Sequence, residues 1–170
     1  MDIAELLVDA FGRVRDDVPA VVDGLDVDQL AWRPDGGSNS IAWLIWHFTR
    51  IEDDHIADVA GTEQVWTSAG WYDRFGLPFP PEAHGYGHKA DEVAEVRIDR
   101  DLLVGYHDDT IARAIEYVGG LTPGDLDRIV DERWDPPVTL GVRLISVVND
   151  ATQHLGQAAY LRGLIERRSS

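Results

Sequence analysis

Four stretches of the chain carry apolar residues at every third or fourth position, the spacing that lines one face of a helix. These stretches predict four main helices over residues 2–22, 41–59, 99–118 and 140–165. Pro19 predicts a kink, an early end or a restart in the first of them. Residues suited to capping a helix precede three of the stretches, namely Asp2, Asn39 or Ser40, and Thr139. Four helices with long connections predict an all-α bundle.

The connections between these helices differ in regularity. Residues 25–30 and 122–125 predict short helical turns, and residues 129–134 predict an extended segment. The connection over residues 62–98 is the least regular part, with aromatic residues set among glycines and prolines. A loop this long in a small domain is usually functional or partly disordered, and its aromatic side chains predict packing against the bundle.

The composition indicates one globular domain over residues 1–170, since 44% of them are apolar. No continuous apolar run approaches the roughly 18 residues of a membrane span. Residues 1–5 show no basic region followed by an apolar stretch, so we expect no signal peptide and a cytoplasmic protein. The chain contains no cysteine, which excludes disulfides, thiolate ligands and cysteine nucleophiles. Thiol chemistry would therefore need an external thiol.

The charge balance is strongly acidic, with 31 Asp and Glu against 15 Lys and Arg and a formal net charge of -16. Nucleic acids and anionic membranes are held by positive surfaces, so neither is expected as a partner. A small-molecule substrate is the remaining expectation. Lysine is scarce while Arg, Ala, Val, Asp and Gly abound, a composition common in GC-rich genomes, including actinobacterial ones.

The candidate chemistry lies on two of the predicted helices. Asp150 and His154 are four residues apart, so they share one edge of the last helix, and Gln157 extends that edge. His47 lies on an edge of the second helix and could meet them across a cleft. A carboxylate and two imidazoles can hold one divalent metal and leave a coordination position open. The ordinary alternative for Asp150 and His154 is a surface pair, and for His47 a hydrogen-bonded core histidine.

Other polar residues supply supporting candidates. Asp54 shares the helix edge of His47 and could hydrogen-bond its imidazole, although residues 52–54 have the pattern of a charge run with no metal role. His55 is interpreted as a buried, hydrogen-bonded histidine, with support of the metal ligands as its alternative role. His107, followed by two aspartates, is predicted to lie on a solvated helix face.

The long connection offers candidates for the substrate side of the site. They are Tyr72, Tyr86, His84 and His88. His84 and His88 could instead belong to a loop that packs on the bundle, and their spacing favours neither interpretation. No phosphate-binding glycine loop, nucleophile elbow or His-Glu-x-x-His motif is present.

Several of these motifs resemble the DinB-like superfamily of metal-binding four-helix bundles. The resemblance rests on His47, Trp32-Arg33-Pro34, and Asp150-x-x-x-His154-x-Gly156-Gln157 followed by Tyr160-Leu161-Arg162-Gly163. It spans nearly the whole chain. It implies an up-down-down-up four-helix bundle with a long irregular connection between helices 2 and 3. It also implies that His47, Asp150 and His154 are the metal ligands.

The resemblance extends to an actinobacterial branch that includes mycothiol-dependent maleylpyruvate isomerase and related thiol transferases. The loop motifs at residues 70–78 and 85–88 also resemble uncharacterised actinobacterial members. This branch implies mycothiol as a cosubstrate. Imidazole and carboxylate ligands suit zinc, nickel, iron or manganese, of which we expect zinc or nickel. Two positions depart from the family pattern: Asp150 stands where His or Glu is commoner, and Leu155 replaces a frequent Arg.

Three functions follow from these expectations. The leading hypothesis is a metal-dependent enzyme that uses a small thiol for S-transfer or thiol-assisted isomerisation. The second is a metal-dependent hydrolase with water as the nucleophile. The third is a non-catalytic dimeric bundle with a structural or vestigial metal site. A homodimer is the expected assembly.

Overall fold

The computed structural model describes residues 1–168, which are mostly helical. The four long helices are α1 (Ile3–Val22), α3 (Ile41–Ala60), α7 (Arg100–Gly119) and α8 (Leu140–Arg168). The four short helices are α2 (Val27–Leu30), α4 (Val65–Ser68), α5 (Trp71–Phe75) and α6 (Ala90–Glu95). A 3-10 helix (Pro123–Asp127) and an antiparallel pair of short strands, β1 (Ile129–Asp131) and β2 (Val138–Thr139), precede α8.

The long helices form a four-membered bundle in which α1 lies diagonally across from α3. Each of these two packs against both α7 and α8. Arg162, near the end of α8, donates to the carbonyl oxygen of Asp23 just beyond α1, so α1 and α8 run in the same direction. Arg100, at the start of α7, contacts the Asp23 carboxylate, and Arg143, near the start of α8, contacts His55 near the end of α3. Both of these pairs are therefore antiparallel. The predicted up-down-down-up bundle is confirmed.

Three of the predicted helix caps are present. The side chains of Asp2, Ser40 and Thr139 accept hydrogen bonds from backbone N–H groups in the first turns of α1, α3 and α8. Such bonds satisfy donors that have no partner inside the helix. Pro19 does not end α1, which continues to Val22. A proline lacks the backbone N–H of one helical hydrogen bond, and its ring crowds the carbonyl four residues earlier. In the last turn of α1 the helix tolerates both effects.

The connection between α3 and α7 is more regular than expected, since it contains α4, α5 and α6. Most of its aromatic side chains pack inward as predicted, and Trp66, Trp71 and Phe75 are all buried, whereas Tyr86 is exposed. This segment covers the side of α3 that faces away from the bundle, so every residue from 41 to 50 is buried. None of the helices within residues 1–168 is long and apolar enough to cross a membrane.

Candidate metal centre

The antiparallel packing of α3 on α8 brings three ligand-type side chains together. His47 on α3 and both Asp150 and His154 on α8 each offer one atom, and these atoms lie within 4.8 Å of one another. His47 is buried, while the other two are half-buried. The three predicted ligands thus form one cluster, open to solvent on the α8 side.

The hydrogen bonding of His47 fixes which of its nitrogens faces the cluster. Its Nδ1 bonds the backbone carbonyl oxygen of His84. A carbonyl can only accept, so Nδ1 carries the hydrogen and Nε2 keeps a lone pair. Burial lowers the pKa of His47, which keeps the ring neutral. A neutral imidazole anchored through one nitrogen is the usual form of a metal-binding histidine.

His154 is anchored in the same manner. Its Nδ1 lies 3.0 Å from Oε1 of Gln157, so a hydrogen on Nδ1 leaves the lone pair on Nε2. Nε2 lies 3.5 Å from Oδ1 of Asp150. Two acceptors that face each other repel unless a proton or a cation lies between them. The hydrogen bond to Asp150 accordingly raises the pKa of His154 in the metal-free protein.

Asp150 reaches the cluster although its side chain is one methylene shorter than that of Glu. Its second oxygen, Oδ2, is buried and has no hydrogen-bond partner within residues 1–168. A buried oxygen without a partner is costly, and a bound cation would remove that cost. Ligands held tetrahedrally at about 2.1 Å from one zinc ion lie about 3.4 Å apart, so the three side chains, whose ligand atoms lie within 4.8 Å, must draw together by up to about 1.4 Å. The two nitrogens and the carboxylate therefore suit a divalent metal.

The loop after α5 forms a roof over His47 at Gly85. The Trp43 indole stacks on the His47 ring, with centroids 4.6 Å apart, and Gly85 lies against both rings. A Cβ built on Gly85 would lie 2.8 Å from His47 Nδ1 and 3.0 Å from Trp46 Cζ3. The φ of Gly85 is +89°, a conformation that L-residues rarely adopt. Glycine is therefore required for the roof to close on His47.

We expect Gly85→Ala to destabilise the protein by about 1–3 kcal/mol and to weaken its zinc affinity, because the new methyl group pushes the roof away from His47. Gly87→Ala is the matched control, since Gly87 also has a positive φ (+79°) but its Cβ would meet nothing within 4 Å. Urea unfolding and zinc titration of both variants measure the effect. Equal losses in the two variants would show that only backbone strain matters at Gly85.

Arg50, one turn after His47 on α3, holds the same loop. Its buried guanidinium donates to the carbonyl oxygens of Ala83 (3.1 Å) and Pro81 (3.2 Å). The next carbonyl along the chain, that of His84, accepts from His47. His47 and Arg50 of α3 thus both hydrogen-bond to backbone carbonyls of residues 81–84. The roles of Arg50, Trp43 and Gly85 were not predicted from the sequence, although an arginine in the middle of a largely apolar helix was a signal for Arg50.

Three of the supporting candidates on the helices make the following contacts. Gln157 accepts from His154. Asp54 accepts from Gln64 Nε2 at 2.8 Å and does not contact His47, whose Nδ1 is taken by the loop carbonyl. His55 is partly exposed and lies 3.1 Å from Arg143 Nη1, outside the ligand cluster.

None of the four candidates of the connection lies in the ligand cluster: His84, Tyr86 and His88 lie in the roof, and Tyr72 lies in α5. His88 accepts from Trp43 Nε1 at 3.3 Å and stacks on the Trp46 ring. His84 contributes its backbone carbonyl to His47, while its ring accepts from the backbone N–H of Tyr86. Tyr86 is 83% exposed. Tyr72, which donates to the Phe79 carbonyl oxygen at 3.2 Å, braces the loop.

The prediction that His107 lies on a solvated helix face is wrong, and two carboxylates of the charge run on α3 are also buried. Glu52 and Asp53 are buried, with 1% and 3% exposure, because the connection covers this side of α3 and the bundle covers the other. His107 is fully buried, and burial lowers its pKa to about 3. The two aspartates after His107 misled the prediction, since helix geometry turns them away from the face that His107 occupies.

Comparison with known proteins places this bundle in a family. A family model described as the DinB superfamily matches residues 10–158. The chain is also 30% identical to a solved structure, "Crystal structure of the conserved protein of locus from Enterococcus faecalis", with a TM-score of 0.90. That similarity covers 97% of this chain and 98% of the other. A search of curated proteins found no match. The chain therefore belongs to the DinB superfamily, which is typically metal-binding.

Proposed function

We propose that this protein is a divalent-metal enzyme that acts on a small molecule, with a low-molecular-weight thiol as its nucleophile. One observation carries the proposal: His47, Asp150 and His154 gather their ligand atoms within 4.8 Å on a solvent-accessible edge of the bundle. Three protein ligands are typical of catalytic metal sites, which keep a position for substrate, whereas structural sites close with four. Zinc and nickel both accept imidazole and carboxylate ligands.

The chemistry follows from the charge of the ion and from the residues around it. A divalent metal held there would lower the pKa of a thiol or a water molecule that binds beside it. The proton that such a nucleophile loses can pass to solvent on the α8 side of the cluster, where Asp150 and His154 are only half-buried. The His84 carbonyl and Gln157 fix the two imidazole rings. Because the chain has no cysteine, the thiol must be external, and the resemblance to the mycothiol-dependent branch suggests mycothiol.

The test is metal analysis of tag-free protein purified without chelators. We expect close to one zinc or nickel ion per chain, and a melting temperature that rises when that metal is added, since a ligand of the folded state stabilises it. Asp150→Ala and His154→Ala should lose both effects. Asp54→Ala and His55→Ala remove the same residue types outside the cluster and should retain them. The proposal would be overturned if the purified wild-type protein held no metal and its melting temperature did not change when zinc or nickel was added.

A second measurement separates the thiol from water as the nucleophile. Cobalt(II)-loaded protein is titrated with mycothiol and, separately, with 2-mercaptoethanol. A thiolate-to-cobalt charge-transfer band in the near ultraviolet is the expected result. Metal binding without such a band for either thiol would favour the hydrolase, in which water is activated by the same ligands.

A further inference from the structure

The solvent face of α8 carries no charge over most of its length. Between residues 142 and 160, every exposed position of this helix holds an apolar residue, an amide, a hydroxyl or a glycine. We call these exposed positions the α8 face. The charged residues of the same stretch, Arg143 and Asp150, lie on the edge of the helix that packs on α3, where Arg143 contacts His55 and Asp150 joins the metal ligands.

This absence of charge is unusual for the chain. Charged residues make up 27% of the sequence, and most exposed positions of the long helices α1 and α7 are charged. Examples are Asp9 and Asp16 on α1, and Asp101 and Asp109 on α7. The α8 face therefore differs from the rest of the helical surface in a way that overall composition does not explain.

The α8 face has apolar ends and a polar centre. Val142 and Ile145, near the start of the helix, are 54% and 63% exposed, and Tyr160, near its end, is 66% exposed. Large apolar side chains exposed together on one face are typical of a surface that packs against another. Asn149 and Gln153 lie between them, and neither side-chain amide has a hydrogen-bond partner within residues 1–168. Each amide can both donate to and accept from another amide.

Two hydroxyls of the α8 face are already satisfied within the helix. Ser146 donates to the carbonyl oxygen of Val142, and Thr152 donates to that of Val148, both at 2.8 Å. Burying a polar group is costly only when it is left without a partner. The centre of the α8 face can therefore be covered once the amides of Asn149 and Gln153 find partners.

The α8 face is symmetric about the level of Ala151. Asn149 and Gln153 each lie two residues from Ala151, and Val142 and Tyr160 each lie nine residues from it. A two-fold axis joins two copies of one surface, so that residue i contacts residue j and j contacts i. Two antiparallel α8 helices related by an axis at this level would set Val142 opposite the partner's Tyr160 and Asn149 opposite the partner's Gln153.

Charge favours a second copy of the chain over other partners. With a net charge of -16, two copies repel each other wherever charged surfaces meet. The α8 face lets them approach without placing like charges opposite each other. A basic partner would instead be attracted to the acidic surfaces of α1 and α7, and would gain no electrostatic attraction from an uncharged face.

We propose that two copies of this chain pair through the α8 face, antiparallel and about a two-fold axis at the level of Ala151. The sequence predicts a homodimer without indicating its surface. The pairing needs neither metal nor thiol, so it goes beyond the proposed function. Gln157, which anchors His154, is one of the exposed residues of the α8 face, so each metal centre borders the interface.

Sedimentation velocity of the full, tag-free chain over about 1–100 µM tests the pairing. We expect a dimer whose dissociation constant falls as sodium chloride is added, because screening weakens the repulsion between two acidic chains. Asn149→Glu combined with Gln153→Glu would set like charges opposite each other twice across the axis. This variant should weaken the pairing by about 100-fold or more.

A charge-swapped variant tests the antiparallel register. Asn149→Lys combined with Gln153→Glu sets opposite charges across the axis and should restore the dimer. Thr67→Glu combined with Ala112→Glu is the matched control, since it adds two negative charges at exposed positions of α4 and α7. The control should pair as the wild type does. Circular dichroism of each variant checks that the helices remain folded.

Each result decides for or against the pairing. A wild-type chain that stays monomeric at about 100 µM would overturn it, as would a dimer that loosens when salt is added. So would equal pairing in the double-glutamate variant and the control, or a charge-swapped variant that stays monomeric. Metal content measured on the same samples separates the two proposals, because a metal-free dimer would defeat the proposed function and keep the α8 pairing.

Discussion

Replacing Arg50 with methionine is expected to destabilise the protein by about 3–5 kcal/mol, the cost of removing one partner from a buried charge pair. Arg50 is fully buried, and its Nη1 lies 3.7 Å from Oδ2 of Asp53, which is 3% exposed. Burial already raises the pKa of Asp53 against the effect of its hydrogen bonds. Without the guanidinium, Asp53 would be a buried carboxylate with no countercharge.

Arg50→Met is also expected to weaken metal binding. Loss of the guanidinium leaves the carbonyl oxygens of Pro81 and Ala83 without their donors, and the adjoining His84 carbonyl orients His47. Changes to groups that orient a metal ligand weaken metal binding by about 10- to 100-fold. Zinc titration of Arg50→Met should therefore show weaker binding, and urea unfolding should show a lower midpoint.

Two variants make the Arg50 prediction specific. Arg13→Met removes an exposed arginine that pairs with Asp9 on α1, and should change stability by no more than about 0.5 kcal/mol. Adding Asp53→Asn to Arg50→Met removes the orphaned charge and should recover part of the loss. A midpoint shift for Arg50→Met as small as that for Arg13→Met would refute a role for the buried pair.

The fold was largely predictable from the sequence because helix periodicity is a local signal. The apolar faces that predict α1, α3, α7 and α8 each pack against two of the other long helices. The capping side chains of Asp2, Ser40 and Thr139 mark three helix starts. The short helices α4–α6 were not predicted, since each spans at most six residues and glycines flank α5. Since α4 packs against α3 and α7, and α5 packs against α7, the positions of these two depend on tertiary contacts more than on local preference.

The site was predictable only in part, for a physical reason. Asp150 and His154 share a helix edge by spacing alone, so their pairing can be derived from the sequence. The contacts that orient the cluster join residues far apart in the chain, such as His47 to His84 and Arg50 to Ala83. Nothing in local periodicity encodes that the long connection folds back over α3. For the same reason the burial of Glu52 was not predicted.

Glu52 is expected to make the protein less stable as the pH rises from about 4.5 to about 8. Its side chain is 1% exposed, and neither carboxylate oxygen has a hydrogen-bond partner within residues 1–168. Burial, aided by the neighbouring Asp53 charge, raises its pKa from 4.5 to about 8. The folded state therefore keeps a proton that the unfolded chain releases. Each pH unit across this window costs about 1.4 kcal/mol of unfolding free energy.

The contribution of Glu52 to stability is full below pH 4.5, where both states are protonated, and is lost as the pH approaches 8. Glu52→Gln keeps the shape of the side chain but cannot ionise. As the pH rises through this window, the free energy of unfolding of the variant should therefore rise relative to that of the wild type, by up to several kcal/mol. Urea unfolding at half-unit pH steps measures this difference, and groups that titrate in both proteins cancel from it. Glu116→Gln, an exposed change on α7, should track the wild type throughout. A constant difference between Glu52→Gln and the wild type from pH 5 to 8 would mean that Glu52 is ionised in the folded core.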